Sequence, residues 1–382
     1  MQNGLDECFF DLLRVALGEP REFSYVLTAQ DWTSLYRMAT QQSLLGVAYR
    51  GVCKLPKDRQ PPFEVVFQWA SEAETIRGQN KLINREAERL TRLFEAEGRK
   101  SAILKGPANA RLYPDTFMRQ CGDIDIWVEG GRESVDALLR RMGLLENDVS
   151  TDDPHELVSR FFSNVSGHHF HLAHSAAAVS VEVHFRPSSG NYNPFTNRNM
   201  QRFLAREIAS TEVVPEGFRV PSMKFALVMQ LSHIQRHFID GGIGLRQVMD
   251  YYMLLTHATE DDRAEISKRL SKFGLYHTGA ALMWILGHVF GLDRSMMLCA
   301  PCARRGRRVL RVIMEGGNFG FYAKKSGTGF VRRWFHNRTH LFRMLSYDVS
   351  EAIWHEFFYW RLFARTIPLR IKLRRVSIRG LF

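Results

Sequence analysis

Two short stretches carry the residues able to do chemistry: Lys105-Gly106-Pro107 and Asp123-Ile124-Asp125. Apolar residues precede the first (Ala102, Ile103, Leu104) and follow the second (Ile126, Trp127, Val128). Each stretch therefore reads as the edge of a short buried strand. Side chains two apart on a strand share a face, so Asp123 and Asp125 project together while Ile124 and Ile126 pack behind them. Two carboxylates that close repel unless a positive charge lies between them. A hard divalent cation, Mg2+ or Mn2+, meets that need with oxygen ligands. The plain alternative is a solvated acidic edge.

The surrounding pattern supplies the elements that must position this pair. A helix is expected over Gln79 to Glu97, because Ile83, Ala87, Leu90 and Phe94 form one apolar stripe and Gly98 ends it. Strands follow at Ser101 to Lys105 and up to about Val128, separated by a helix or turn at Ala108 to Leu112 and a loop. Gly130-Gly131 turns the chain into a helix with Val135, Leu138, Leu139 and Met142 on one face. Residues 144 to 165 show no clear period. His168 to Ala173 and Val179 to Phe185 read as two more strands, joined by the small residues Ser175 to Ala178 as in a hairpin. Residues up to about 75 read as helical and break at Pro56 and Pro61-Pro62. After Ser188 the run Gly190, Asn191, Asn193, Pro194 reads as loop. Helical patterns return from about Met223 and continue to near Pro368.

Composition narrows the classes. A hydrophobic content of 45% over 382 residues is ample for a core and fits two to three domains. No run of 18 apolar residues is present, and Ala280 to Leu292 reads as a buried core helix. Asp6 and Glu7 stand where a signal peptide wants basic residues, so the expected location is cytoplasmic. The five cysteines are an odd count and make no disulfide framework. Cys299-Ala300-Pro301-Cys302 follows an apolar helical stretch and lacks a second ligand pair, against both a redox and a zinc role. The net charge of +12 is concentrated late, in Arg304, Arg305, Arg307, Arg308 and Arg311 and again in Arg361, Arg365, Arg370, Lys372, Arg374, Arg375 and Arg379. Such clusters attract polyanions, an RNA or an anionic membrane surface, with a merely solubilising surface as the plain alternative.

Leu104-Lys105-Gly106, Leu112-Tyr113-Pro114 and Arg119-Gln120-Cys121-Gly122-Asp123-Ile124-Asp125 together resemble the signature of the uncharacterised nucleotidyltransferase family, within the DNA polymerase β-like nucleotidyltransferase superfamily. The likeness runs from about Asp31 to about Leu255. It implies an α+β fold: a small mixed-sheet nucleotidyltransferase module over 79–215, flanked by a helical N-terminal region, 1–78, and a helical C-terminal domain with a basic tail, 216–382. It also implies Mg2+- or Mn2+-dependent transfer of a nucleoside monophosphate from an NTP, ATP favoured, to an acceptor hydroxyl on a small molecule, protein or RNA.

The resemblance assigns roles residue by residue. Asp123 and Asp125 are joined as metal ligands by a third carboxylate from a neighbouring strand, for which Glu182 in Val181-Glu182-Val183-His184-Phe185 is the candidate. The family more often has Asp there. Lys105, Gly106 and Arg119 are expected to hold phosphates, with ordinary ion pairing as the alternative for the two cations. His184 is expected to orient a metal-bound carboxylate or touch substrate. His233, Arg236 and His237 lie at helical spacing, and Ile234 after the first His argues against a metalloprotease-type zinc site. With Leu245-Arg246-Gln247-Val248-Met249-Asp250 they imply a helical domain closing over nucleotide or acceptor; a buried polar network is the alternative. Of His168, His169, His171 and His174, His169 and His171 share a strand face, which leaves a separate zinc site open.

Two other readings stand beside the transferase. Pro107 and Glu182 also suit a non-catalytic nucleotide- or polyanion-binding protein with a decayed site. Trp354, Phe357, Phe358, Trp360, Leu362 and Phe363 mix with arginines as in an interfacial helix, against a terminal helix packed on the core. Nothing in the sequence fixes the oligomeric state.

Overall fold

Prolines and polar caps open six of the α-helices. The computed structural model describes residues 4–19, 23–145, 167–172, 179–322 and 347–372. Helices α1 (Leu5–Leu17), α2 (Ala29–Gln41) and α3 (Leu45–Lys54) come first, α2 opened by a capping box of Thr28 and Asp31. Helix α4 (Phe63–Ala96) starts directly after Pro62 and runs for 34 residues. The helix expected from Gln79 is only its second half. Its first turns expose Phe63 and Phe67, at 77% and 66%, which blurs the apolar stripe there.

The module that follows is built from β1 (Ser101–Ile103), α5 (Pro107–Ala110), β2 (Asp123–Val128), α6 (Gly131–Arg141), β3 (His169–His171) and β4 (Ser180–His184). Its sheet has the order β1-β2-β4-β3, with β4 parallel to β2 and the outer two pairings antiparallel. The mixed sheet and its helical flanks make the fold α+β. β3 and β4 pair as the expected hairpin would, although the connection Ser175 to Ala178, with His174, lies outside the described residues. So does most of the stretch 144 to 165. Ile124, Ile126 and Val128 of β2 and Val181 and Val183 of β4 are buried against Ile83, Leu90 and Phe94 of α4 and Val135 and Leu139 of α6. Alternation then sends Asp123 and Asp125 to the opposite face.

Two elements stand where a loop was expected. Helix α7 (Pro194–Glu207) is capped by the Asn193 side chain and has Pro194 in its first turn, so the Asn-Pro pair starts a helix instead of prolonging a loop. A two-stranded sheet, β5 (Thr211–Val213) with β6 (Arg219–Pro221), comes next. The chain then continues through α8 (Met223–Asp240), α9 (Leu245–His257), α10 (Glu260–Ser267), α11 (Tyr276–Phe290), α12 (Ala303–Gly316) and α13 (Val349–Lys372). Phe9, Leu12 and Leu13 of α1 share one apolar core with Leu231 of α8, Tyr251 of α9 and Ile285 and Phe290 of α11. The N-terminal helix and helices more than 200 residues later therefore stabilise each other, with the mixed sheet's second face turned toward α8 and α9. No helix among the described residues is long and apolar enough to cross a membrane. Of the basic tail, Arg374, Arg375 and Arg379 lie outside the described residues.

Candidate active site

Strand register brings the acidic residues together. The parallel pairing of β2 with β4 sets Asp125 directly beside Glu182, and Asp123 beside Ser180. Lys105 arrives from the other side, just past β1. The turn that carries it needs Gly106, whose φ of 65° is left-handed and where a Cβ would stand 2.8 Å from the Asp123 carbonyl oxygen. Gly106 thus lets the β1–α5 turn lie against the backbone of β2. Lys105 Nζ is 3.1 Å from Asp125 Oδ2 and 3.5 Å from Asp123 Oδ2. His184, on β4, places Nε2 at 2.9 Å from Asp125 Oδ1 and 3.5 Å from Glu182 Oε2.

The electrostatics follow from this packing. Asp125 is fully buried, at 0% exposure, and burial opposes its charge, yet Lys105 and His184 outweigh that and hold its carboxyl below the usual range. Glu182 behaves alike: burial raises it, while His184, His169 and Lys105 bring it down to about 2. Lys105 is itself raised, because Asp125, Asp123 and Glu182 overcome the cost of its burial. His184 is raised by its contacts with Asp125 and Glu182 against the effect of burial. Asp125 Oδ2 is buried and accepts no hydrogen bond, its ammonium contact aside.

Histidines crowd the same face. His171 pairs across the sheet with Glu182, and His169 with His184. His169 Nδ1 is 3.3 Å from His168 Nε2 and 3.4 Å from Glu182 Oε2, while His169 Nε2 is 3.2 Å from His171 Nε2. Burial, then His184 and His169, depress His168 to about 2. From α8, His233 stacks edge-on with His237 at 4.2 Å between ring centres. Burial and Lys105 push both below the usual imidazole range, so they are neutral at pH 7.

A narrow cleft opens between the sheet and the helices, lined by Lys105, Asn109, Asp123, Gln230, His233 and Arg246 among others. The neighbouring loop is tied down. Arg119 donates to Asp250 from Nε and Nη2, both at 2.6 Å, and Tyr113 donates to the same carboxylate at 2.7 Å. Asn109 and Gln230 exchange two hydrogen bonds of 2.9 and 2.6 Å, which link α5 to α8. Of the residues expected to touch phosphate, Lys105 faces the carboxylates and the cleft, Gly106 supports Asp123, and Arg119 is engaged by α9. Arg246 stands at the cleft instead: it donates to the Gln120 carbonyl at 2.8 Å, and its buried Nε has no partner. The Leu-Arg-x-x-x-Asp spacing on α9 was the signal for it, since residues four apart share a helix face.

The structure thus joins Asp123, Asp125, Glu182, Lys105 and His184 in one cluster, with His233 at the cleft wall and His237 beside it. Asp125, Glu182 and His184 offer ligand atoms within 4.8 Å of one another, suited in chemistry to a divalent cation. No curated protein matches the chain, and no solved structure does. The profile of the uncharacterised nucleotidyltransferase family matches residues 28–291, well over half of the chain and the whole of this cluster. With the strand-borne carboxylates, the lysine turn and the α+β module all inside the matched span, the chain belongs to the uncharacterised nucleotidyltransferase family.

Proposed function

We propose that the chain transfers a nucleoside monophosphate from an NTP, ATP favoured, to an acceptor hydroxyl, with Asp123, Asp125 and Glu182 as the ligands of Mg2+ or Mn2+. The observation that carries this reading is the register that seats Asp125 beside Glu182, with Asp123 on the same strand and Lys105 between the two aspartates. The residues fit a hard cation: the Asp125 and Glu182 carboxylates converge with His184, Asp123 lies two residues along the same strand face, and the buried Asp125 Oδ2 has the Lys105 ammonium as its one charged contact among the described residues. When bound there, the cation eases ionisation of the acceptor hydroxyl and neutralises the departing pyrophosphate.

The chain's own residues do the rest. His184 fixes the rotamer of Asp125 through Nε2 and leaves Oδ2 for other contacts. Lys105 and Arg246 present positive charge on the cleft, where the β- and γ-phosphates would lie. Arg119 is a positioning residue: clamped to Asp250, it holds the loop that leads into β2. In the reaction the acceptor oxygen bonds to the α-phosphorus, the bond to the bridging oxygen breaks, and pyrophosphate leaves. Exposed Arg304, Arg307 and Arg311 lie along one face of α12 and suit a polyanionic acceptor such as RNA.

A second reading has an observation of its own. Lys105 already balances both aspartates, as it would in a nucleotide- or polyanion-binding protein without turnover. Incubation with each labelled NTP, Mg2+ and a cell extract separates the two: a transferase labels an acceptor, whereas a binding protein leaves the NTP intact. In the transferase, Arg246→Gln raises the KM for NTP about tenfold or more, the worth of one charged hydrogen bond, and leaves kcat nearly unchanged.

A further inference from the structure

The histidines of β3 fall outside the reading above, yet they are the densest group of nitrogen donors among the described residues. His169, His171 and Glu182 each offer one ligand atom within 4.8 Å of the others. The register explains the convergence: His171 pairs directly with Glu182 across the antiparallel ladder, and His169 lies two residues before it on the same face. His169 Nε2 and His171 Nε2 are 3.2 Å apart. Two imidazole nitrogens bound to one tetrahedral ion at roughly 2.0–2.1 Å stand about 3.3 Å apart. The Glu182 carboxylate lies beside them: its Oε2 is 3.4 Å from the other His169 nitrogen, Nδ1, and it comes within 4.8 Å of a ligand nitrogen on each histidine.

We propose that His169, His171 and Glu182 form a second metal site, which takes an imidazole-binding divalent transition metal such as Zn2+. Two nitrogens and one carboxylate suit zinc and its neighbours, whereas Mg2+ takes oxygen donors and retains water. Three protein donors leave a fourth position for water or a substrate oxygen, the pattern of a reactive centre more than of a closed structural one. The ion lies on the outer side of Glu182, away from Asp125. Glu182 is thus shared with the nucleotidyl-transfer reading, but the zinc site requires neither a nucleotide nor that reading to hold.

The test uses the full-length chain, stripped with a chelator and dialysed against Zn2+ in the presence of a large excess of Mg2+. Wild type is expected to retain one Zn2+ per chain. His171 is exposed, so His171→Ala leaves the fold intact by circular dichroism and lowers zinc affinity at least tenfold. Asp123→Asn holds zinc within about twofold of wild type, because Asp123 is not a ligand. Co2+ in place of Zn2+ gives an independent readout, a strong visible absorption in wild type that is lost in His171→Ala. The proposal is overturned if wild type releases zinc to Mg2+, which would leave His169 and His171 as a hydrogen-bonded pair. It is equally overturned if His171→Ala binds zinc as wild type does, since the ion would then sit on a set without His171, either Asp125, Glu182 and His184 or His168, His169 and His184. A chain that holds zinc as described but transfers no nucleotide would refute the transferase reading and leave this site standing.

Discussion

Arg119 and Asp250 are joined by two hydrogen bonds of 2.6 Å with both side chains about 95% buried, so the loop before β2 is fastened to helix α9. Burial disfavours both charges, but the pair overrides it: Arg119 is raised well above its usual range and Asp250 lowered. A buried pair of this kind adds little net stability relative to apolar replacements, but breaking it leaves an unmatched charge. Asp250→Asn is therefore expected to cost about 3–5 kcal/mol in urea unfolding. The double variant Arg119→Met with Asp250→Leu should recover much of that loss. A cost below about 1 kcal/mol for the single variant would mean the clamp is not formed in solution.

Gly106→Ala probes the contact between the lysine turn and β2. The new methyl would meet the Asp123 carbonyl at 2.8 Å in a left-handed backbone, a strain of about 1–3 kcal/mol. Relief requires the turn to move away from Asp123, and Lys105 moves with it. The expected result is weaker Mn2+ binding by calorimetry together with a lower Tm, while circular dichroism stays native. Unchanged Mn2+ affinity would separate Gly106 from the carboxylate site.

Helix α13 is anchored by Glu351, which accepts the backbone N–H groups of Tyr192 and Asn193 at 2.8 and 3.2 Å. Burial pushes its carboxyl from 4.5 up to about 7. The folded chain then holds a proton that the unfolded chain has released between those two values. Stability from this group is present below about 4.5 and is lost as pH rises toward 7, by roughly 3 kcal/mol. Glu351→Gln should flatten the fall in Tm between pH 5 and pH 8 relative to wild type. Parallel Tm profiles for the two proteins would contradict the raised carboxyl.

Local patterns in the sequence reach some of this arrangement and miss the rest for identifiable reasons. The alternation Asp123-Ile124-Asp125-Ile126 reads directly as a half-buried strand, and Val181-Glu182-Val183 as another, because a period of two is visible in four or five residues. That these two strands are parallel neighbours, with Asp125 beside Glu182, depends on the chain path between them and leaves no local trace. The engagement of Arg119 with Asp250 spans 131 residues and is equally silent. Helix α7 was legible in principle: Asn193-Pro194 is a cap followed by a first-turn proline, but Gly190 and Asn191 beside it give the stronger loop signal. β5 and β6 are three residues each, too short to show a period.

The central claim is tested most directly by the position of the label that an acceptor receives. NTP carrying the label in the α-phosphate, and separately in the γ-phosphate, is incubated with Mg2+, a cell extract and either wild type or Asp125→Asn. The account predicts that wild type transfers α-label with release of pyrophosphate and transfers no γ-label, and that Asp125→Asn, folded by circular dichroism, loses α-transfer by at least 100-fold. Transfer of γ-label by wild type, or α-transfer by Asp125→Asn at the wild-type rate, would contradict it.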